Sequence, residues 1–415
     1  MISFPSLEHY DVSPDYGFVS YEPSLTTLNP NYFQWEDTAS EFQSLLRNKR
    51  LRQTIDRLPV LGTSNLVTEG EWRRAYVLLV FMLHGYVWEG ELPREVIPPQ
   101  LTIPLYEICQ RLELPPIATF AGVCLWNFRL LDPSKSLKDL DNLACIQTFT
   151  GTADEKWFYL VSVAIEANGA PAIPLLLDTI KAGDTKNAGR ILENLTKLSK
   201  LLESIISLLQ TMHERVSPNV FYHELRPYLA GSKNMAEAGL PNGLVYNDGH
   251  THSVRQLSGG SNAQSSLIQF LDIALGVEHS ESPGDSKQSF SLQMRSYMPG
   301  PHRRFLEDVE SIANLKDFVN GRKDDTSLVQ AYNSCLGLMY EMREKHIQIV
   351  ARFIITPAYK SKHEERAPLA QAEPARVNLA NSNGLKESKA RGTGGTSVIP
   401  LLQQTREETA KTAVS

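Results

Sequence analysis

Cysteine is scarce in this sequence. Its 415 residues include only four cysteines, Cys109, Cys124, Cys145 and Cys335, and no two of them form a CxxC pair. A disulfide framework and a cysteine-rich zinc site both need paired cysteines, so the wide spacing argues against either. Because unpaired cysteines are typical of a reducing compartment, we expect a cytoplasmic protein.

The sequence also lacks an excess of positive charge. Lys and Arg total 41 and Asp and Glu total 47, which gives a formal net charge of −6 at pH 7. Proteins that bind nucleic acid usually present a basic surface to the phosphate backbone, so we expect no nucleic-acid partner. The first eighteen residues show neither the pattern of a secretory signal nor an arginine-rich transit pattern.

No apolar run is long enough to span a membrane. The longest begins at Tyr76 with YVLLVFML and extends to Trp88, whereas a membrane-spanning helix needs ~20 residues. We therefore interpret this run as a buried core helix and predict no membrane partner.

Alternating strand patterns are rare, and apolar residues recur mostly at helical spacing. A long helical pattern covers residues 188–216, and another covers 326–356. The only strand candidates are short, at 244–246 and 253–257. The sequence therefore predicts an all-α, mostly helical fold.

We predict a domain boundary at Pro115-Pro116, because the residue before a proline is driven out of the helical region. The predicted units are a small N-terminal α domain (1–114), a large helical domain (115–357), a mobile linker (358–390), and a glycine-rich flap with a C-terminal tail (391–415). The linker is rich in charge and poor in large apolar residues, a composition that cannot offset the entropy of ordering. We expect a short apolar turn at 398–402.

The most informative segment is the predicted helix from Thr326 to Thr356. An apolar stripe follows it at alternating spacings of four and three, interrupted by one histidine: Leu328, Tyr332, Cys335, Met339, Met342, His346, Ile349 and Phe353. Two interpretations of His346 are open. It is a core histidine satisfied by a hydrogen bond, or it is an axial ligand to haem iron, which needs an apolar slot and a neutral imidazole.

Two glycine-rich segments precede apolar residues. Ser258-Gly259-Gly260-Ser261 either directs backbone N–H groups at an anion or starts a helix with Ser261 as its N-cap. Residues 391–396 (RGTGGT) lack the GK[ST] ending of a phosphate loop. We interpret them as a flap that closes over a ligand. His302, where a proline-rich turn meets a helix, is interpreted as structural.

Two aromatic segments each precede a polar or cationic residue. Phe158 and Ser162 are four residues apart and share a helix face. Phe221 and Arg226 are five apart, which is a looser relation. An aromatic wall with one hydroxyl and one guanidinium suits an aromatic amino acid, although each group alone is typical of core packing.

Several separate motifs, in order along nearly the whole chain, resemble those of indoleamine 2,3-dioxygenases of the fungal type. The stretches that carry the resemblance are GYVW (85–88), LELPPI (112–117), Phe158 through Ser162, Leu225-Arg226 with Tyr228-Leu229, SGGS (258–261) with Gln264-Ser265-Ser266, Met294-Arg295, Tyr297-Met298-Pro299, His302-Arg303, His346 with Gln348-Ile349-Val350, and GTGGT (392–396).

The resemblance implies a haem-dependent dioxygenase. Such an enzyme inserts both atoms of O₂ across the indole C2–C3 bond of L-tryptophan to give N-formylkynurenine, the first step of the kynurenine pathway of tryptophan catabolism and NAD biosynthesis. The implied cofactor is haem b with iron as Fe²⁺ in the active state, and O₂ is the co-substrate. Haem would lie between the small and the large helical domain, and we expect a monomer.

The resemblance also implies roles on the substrate side. Phe120, Phe158, Phe221 and Ser162 would line the distal pocket, and Phe120 stands where relatives often carry Tyr, so no hydroxyl is required there. Arg226 would pair with the substrate carboxylate. Thr396, on the flap, would hold the amino-acid end. Ser162, Arg226 and Thr396 form the predicted catalytic set.

On the cofactor side, His346 is implied as the proximal iron ligand. Gly259, Gly260 and Ser261 would border the substrate and a haem propionate. We also expect Asp272 and Arg343 to pair near the haem edge, because Arg343 lies one helical turn before His346.

Two other functions compete with this one. The first is a non-catalytic or weakly catalytic haem protein that binds or senses O₂ on the same fold. The second is a helical scaffold without a cofactor. A Soret band would exclude the scaffold, and product formation would separate the enzyme from the O₂ carrier.

Overall fold

The computed structural model describes residues 6–19, 23–280, 289–364, 392–393 and 398–415, with side chains as far as 361 in the third range. Of the described residues, 63% are helical and 5% lie in strands. The predicted all-α, mostly helical fold is confirmed.

Eighteen α-helices occur in the described ranges. In the N-terminal third they are α1 Phe33–Ser40, α2 Phe42–Arg47, α3 Leu51–Asp56, α4 Glu69–Trp88 and α5 Pro99–Leu112. The middle of the chain contains α6 Ala153–Gly169, α7 Ala172–Asp184, α8 Ala188–Gln210, α9 Met212–Arg215, α10 Pro218–Val220 and α11 Arg226–Leu229. The remainder are α12 Ser266–Leu275, α13 Phe290–Arg295, α14 Gly300–Ile312, α15 Leu315–Asn320, α16 Thr326–Val350, α17 Thr356–Glu364 and α18 Val398–Lys411.

Helix α4 is the buried centre of the N-terminal part. Thr68 and Glu71 form a capping box that satisfies the free N–H groups at its start. Every residue from Arg74 to Trp88 is buried, so the helix is apolar all round, as expected of a core helix. The prediction from the YVLLVFML run is confirmed.

Helix α16 packs against α8 in the larger part of the molecule. The Asp325 side chain accepts a hydrogen bond from the Leu328 N–H and so starts the helix. The predicted stripe is buried along its length, from Leu328 to Phe353, with His346 as its one half-buried member. The predicted end at Thr356 is wrong, because α-helical geometry gives way to a π-helical turn at Ala351–Ile355 and α17 then continues the helical backbone from Thr356 to Glu364.

The five strands of the described chain are short. They are β1 Val96–Ile97, β2 Phe128–Leu130, β3 Leu143–Cys145, β4 Leu244–Asn247 and β5 His252–Arg255. Strands β4 and β5 form an antiparallel hairpin, which confirms both strand candidates. Strand β1 pairs in parallel with β4, Val96 opposite Val245, so a strand from before Pro115 joins one from well beyond it.

The proposed boundary at Pro115-Pro116 stays a prediction. One continuous hydrophobic core runs from Tyr10 to Val414. The first described residues pack on α14, where the Tyr10 hydroxyl donates to the Asp308 carboxylate at 2.5 Å and the Tyr10 ring meets Phe305 edge-on.

The C-terminal part differs from the prediction. Residues 398–402 are not a short turn but the start of the 14-residue helix α18. Pro400 lies in its first turn, where a proline removes no helical hydrogen bond. The predicted linker begins inside α17, which continues to Glu364, and most of it lies outside the described residues.

One apolar segment of the described chain, Ala153–Asp184, passes a length and hydropathy test for a membrane span. It consists of two helices, α6 and α7, and 67% of its apolar window is buried inside the protein. Core helices of globular proteins pass the same test, so the segment is weak evidence for a membrane.

Two helical glycines have opposite surroundings, which yields a stability prediction. A Cβ on Gly85 in α4 would lie 2.5 Å from Leu51 and 2.8 Å from Phe42, both fully buried, whereas a Cβ on Gly337 in α16 would meet nothing within 4 Å. Gly85→Ala should therefore destabilise the fold by ~1–3 kcal/mol through overpacking. Gly337→Ala should stabilise it by ~0.5–1 kcal/mol, because alanine favours the helix.

Denaturant unfolding of both variants beside the wild type measures the difference. A Gly85→Ala variant as stable as Gly337→Ala would contradict the tight contact of α4 with α2 and α3.

Candidate active site

A cavity of about 310 Å³ lies among α6, α12, α16 and α18, within the size range of small-molecule sites. Its wall is mostly apolar. Ten of the eleven predicted site residues line it: Phe120, Phe158, Ser162, Phe221, Arg226, Gly260, Ser261, Asp272, Arg343 and His346. The eleventh, Thr396, lies outside the described residues.

Three π-helical turns of the described chain border the cavity: Ala121–Leu125, Phe221–Leu225 and Ala351–Ile355. In each, a backbone N–H donates to the carbonyl five residues back instead of four, as from Arg226 to Phe221. This geometry brings residues five apart onto one side of the helix. Phe221 and Arg226, which are only loosely related in an α-helix, therefore both line the cavity.

The aromatic side chains form a connected wall. The rings of Phe158 and Phe221 are 5.0 Å apart, and Phe353 meets Phe221 edge-on at 5.8 Å. Such contacts hold rings in fixed orientations. Phe120 is 3% exposed and is held through its backbone, because its N–H donates to the Gln264 side chain at 2.8 Å. The wall is therefore closely packed as well as apolar.

The polar groups beside this wall are few. Arg226 is 2% exposed, and its guanidinium lies 5.6 Å from the centre of the Tyr222 ring. Burial lowers the pKa of Arg226, and Tyr222 partly offsets this. The Ser162 hydroxyl donates to the Phe158 carbonyl one turn earlier in α6, at 3.4 Å.

His346, the half-buried member of the α16 stripe, lines the cavity. Burial, with a smaller contribution from Arg343, lowers its pKa to about 4. Its ring is therefore neutral at pH 7, the form that ligates a metal. Among the described residues no hydrogen-bond partner of the ring is found, nor any group of three or more His, Cys, Asp or Glu that could hold a metal ion. The core-histidine interpretation, which needs such a partner, is not supported.

Arg343 joins three helices at the same cavity. It donates two hydrogen bonds to the Asp272 carboxylate, at 2.6 and 2.7 Å, and one to the Thr409 hydroxyl of α18 at 2.6 Å. The predicted pairing of Asp272 with Arg343 is confirmed. Burial alone would raise the pKa of Asp272, but Arg343 and His279 together outweigh it and hold the pKa below its ordinary value. His279 continues the network, between Asp272 at 3.1 Å and Glu408 at 2.8 Å.

The glycine-rich loop packs backbone against backbone. A Cβ on Gly259 would lie 2.1 Å from the Leu229 carbonyl oxygen, so glycine is required there by space alone. Gly259 itself is not among the residues found to line the cavity, whereas Gly260 and Ser261 are. The Ser261 hydroxyl accepts from the Ala263 N–H and caps a short 3₁₀ turn, which supports the N-cap interpretation. The cap of α12 is Ser265.

The described part of the flap rests on this loop. The Thr393 carbonyl accepts from the N–H groups of Gly231 and Gly259, each at 3.2 Å, and its hydroxyl donates to the Gly260 carbonyl at 2.9 Å. Gly392 and Thr393 line the cavity. The flap is predicted to meet the ligand through Thr396, which lies outside the described residues. Thr393 is the flap residue whose contacts are described.

A family model described as indoleamine 2,3-dioxygenase matches residues 6–412. The chain belongs to the indoleamine 2,3-dioxygenase family. It is 40% identical to the indoleamine 2,3-dioxygenase of Saccharomyces cerevisiae, over 100% of this chain and 95% of that protein. It is 36% identical to the 6-hydroxytryptophan 2,3-dioxygenase of Fusarium equiseti (97% and 96% covered). Identity to human indoleamine 2,3-dioxygenase 2 is 34% (97% and 94% covered).

Several polar residues of this indoleamine 2,3-dioxygenase family cavity were not predicted from the sequence, among them Glu166 and Gln269. Glu166 is 1% exposed and lines the cavity one turn beyond Ser162 in α6. Its Oε1 accepts from the Ser265 hydroxyl at 2.5 Å, and its Oε2 has no partner among the described residues. The spacing of four from Ser162 was the available signal, but a glutamate in a helix usually faces solvent.

Glu166 should make stability fall as pH rises. Burial raises its pKa to about 7 in the folded protein, while the unfolded chain loses the same proton near its ordinary pKa. The folded state therefore binds more protons between these values, and stability present at low pH is lost as pH rises through about 7, on the order of 3 kcal/mol in all. Glu166→Gln, which is neutral and of similar shape, should lose this dependence.

Unfolding free energies of the wild type and Glu166→Gln at pH 5.5 and pH 8 test this point. The variant should gain on the wild type at the higher pH. A constant difference between the two proteins would contradict the raised pKa.

Proposed function

We propose that this protein is a haem-dependent dioxygenase that opens the indole ring of L-tryptophan with O₂ to give N-formylkynurenine. The observation that carries the proposal is one cavity that contains a neutral histidine, an aromatic wall and a buried guanidinium. Membership of a family of haem-dependent dioxygenases that use O₂ supports it.

The residues present fit haem b. His346 offers an imidazole nitrogen with no hydrogen-bond partner among the described residues, on the apolar face of α16. A macrocycle supplies the other ligands of its iron, so one protein ligand is enough. Ser261 and Arg343, both on the cavity wall, are the residues that would border the propionates. When bound, haem b in its Fe²⁺ state supplies the iron centre for O₂ chemistry.

The chain's own contribution on the substrate side is binding and orientation. A tryptophan zwitterion that enters an apolar cavity needs its carboxylate compensated, because an unpaired buried charge is very costly. The Arg226 guanidinium provides a planar, two-pronged donor for a carboxylate. Phe158, Phe221 and Phe120 give the indole ring an apolar surface that excludes water. Ser162 would border the ring, and Thr396 would hold the amino-acid end when the flap closes.

Arg226 also separates the enzyme from an O₂ carrier. A protein that only binds or senses O₂ has no use for a buried guanidinium in its ligand cavity, whereas an amino-acid substrate needs one. We further propose that the protein acts as a cytoplasmic monomer without nucleic-acid or membrane partners.

Aerobic turnover of L-tryptophan by the haem-loaded protein with a reductant, followed at the absorbance of the product, tests the function. Product formation supports the enzyme. A Soret band with O₂ binding but without product would favour the carrier, and absence of any Soret band would exclude both.

Replacing His346 should remove the cofactor. His346→Ala is expected to lose stoichiometric haem or to hold it weakly without activity, because no other histidine of the described chain is found in the cavity wall except His279, which is engaged by two carboxylates. The haem-to-protein ratio and the Soret spectrum measure this, with circular dichroism to verify folding. His252→Ala, at an exposed histidine of β5, is the control. A normal Soret spectrum and normal turnover in His346→Ala would refute the ligand assignment.

Replacing Arg226 should weaken tryptophan use and leave haem in place. Truncating one partner of a buried charge pair costs ~2–5 kcal/mol, so Arg226→Ala should lower kcat/KM by roughly 30-fold or more. Arg226→Lys should restore little, because an ammonium lacks the guanidinium fork. Arg215→Ala, at a largely exposed arginine outside the cavity, serves as control. If Arg226→Ala lost haem and stability together, the residue would be bracing the fold instead.

A further inference from the structure

His84 links two walls of the active site without lining the cavity itself. It lies one turn before the end of α4 and is 1% exposed. Its Nδ1 is 2.6 Å from the carbonyl oxygen of Tyr228, and its Nε2 is 3.0 Å from the backbone nitrogen of Ala118. These two partners are 110 residues apart in sequence, so the imidazole is a direct bridge between distant segments.

Only one form of the ring satisfies both contacts. The Ala118 N–H is a donor, so Nε2 must accept, and the proton must then be on Nδ1, where it is donated to the Tyr228 carbonyl. A charged ring would place two donors face to face at Ala118. Burial agrees with this, since it lowers the pKa of His84 to about 4.

Each partner lies two residues from a cavity residue. Tyr228 follows Arg226 in α11, and Ala118 precedes Phe120. Trp88, one turn further along α4, strengthens the first link, because its indole N–H donates to the Ala230 carbonyl at 3.1 Å. The buried end of α4 therefore holds both the segment that bears the cavity's guanidinium and the segment that bears one of its aromatic walls.

We propose that His84 is a positioning residue that sets the distance between Arg226 and Phe120. This inference rests on the proposed function, in which Arg226 meets the substrate carboxylate and Phe120 meets the indole ring. An amino acid held at both ends is sensitive to that distance, because small displacements of a reacting group lower the rate steeply.

Two substitutions at His84 separate its two hydrogen bonds. In His84→Asn the amide nitrogen takes the place of Nδ1 and can still donate to Tyr228, but nothing reaches Ala118. In His84→Gln the amide oxygen reaches the place of Nε2 and can still accept from Ala118, while the bond to Tyr228 is lost. Both variants keep a buried polar group, which favours folding over an alanine substitution.

The two variants should differ in kinetics. His84→Gln loosens the Arg226 segment, so KM for L-tryptophan should rise about tenfold with a smaller change in kcat. His84→Asn loosens the Phe120 segment, so kcat should fall about tenfold with KM near that of the wild type. Both should retain haem, since neither contact involves His346.

His302 provides the matched control. It is 0% exposed, its Nδ1 lies 3.3 Å from the Ser266 hydroxyl, burial lowers its pKa to about 3, and it is not among the residues found to line the cavity. His302→Asn and His302→Gln should lose stability as the His84 variants do, yet keep kcat and KM. If the His84 and His302 variants behaved alike in kinetics, His84 would be a structural residue only.

The wild type supplies two further outcomes. ¹⁵N NMR of histidine-labelled protein in its diamagnetic ferrous carbon monoxide form should show His84 as the neutral Nδ1–H tautomer, and its signal should shift when L-tryptophan binds. The opposite tautomer, a charged ring or an unmoved signal would overturn the proposal even if no variant folded. If the wild type turns over L-tryptophan and the His84 variants keep its kinetic constants, the role of His84 alone is overturned. If the haem-loaded wild type forms no product, the proposed function and this role are overturned together.

Discussion

The ion pair between Arg343 and Asp272 is the interaction on which the cavity depends. It brings a side chain of α16 against one of α12, and the third bond of Arg343, to Thr409, holds α18 over the same space. A buried pair of this kind stabilises little by itself, but breaking it leaves an uncompensated charge, which is strongly destabilising. The helix that carries His346 is therefore held in place by an ion pair. The apolar surface that an indole ring needs is provided by aromatic contacts elsewhere in the cavity.

Polar contacts and aromatic contacts have different roles in the cavity. Polar contacts hold the backbone segments that carry site residues, as Gln264 does for Phe120 and as Thr393 of the flap does for Gly260. Site residues such as Phe120 and Gly260 are thus positioned through their backbone. His346 is likewise positioned by its surroundings, since its orientation comes from the packed stripe of α16. Its ring nitrogen then stays available to bind a ligand. Preorganisation of this type lowers the cost of binding, because little has to be ordered when the ligand arrives.

The spacing of apolar residues was enough to predict α4, the α16 stripe and the β4–β5 hairpin, because each is a long or regular pattern. Motif resemblance was enough to name ten residues that share one cavity. Three features of the structure were not predicted from the sequence. The π-helical turns differ from α-helix by one residue per turn, which no apolar pattern over five residues reveals. Glu166 is of a residue type that is typical of surface positions. Helix α18 was predicted to be a turn because its apolar stretch is short and contains Pro400.

The π-helical turn at Phe221–Leu225 can absorb a change in chain length. A π turn contains one residue more than the α turn it replaces, so loss of a single residue there would restore an ordinary helix. Arg226 would then follow Phe221 by four residues, a spacing that keeps both on one face of an α-helix. In an unbroken α-helix the same deletion would rotate the residues that follow by roughly 100° about the helix axis. The turn is therefore a point where the chain can shorten by one residue without separating the guanidinium from the aromatic wall.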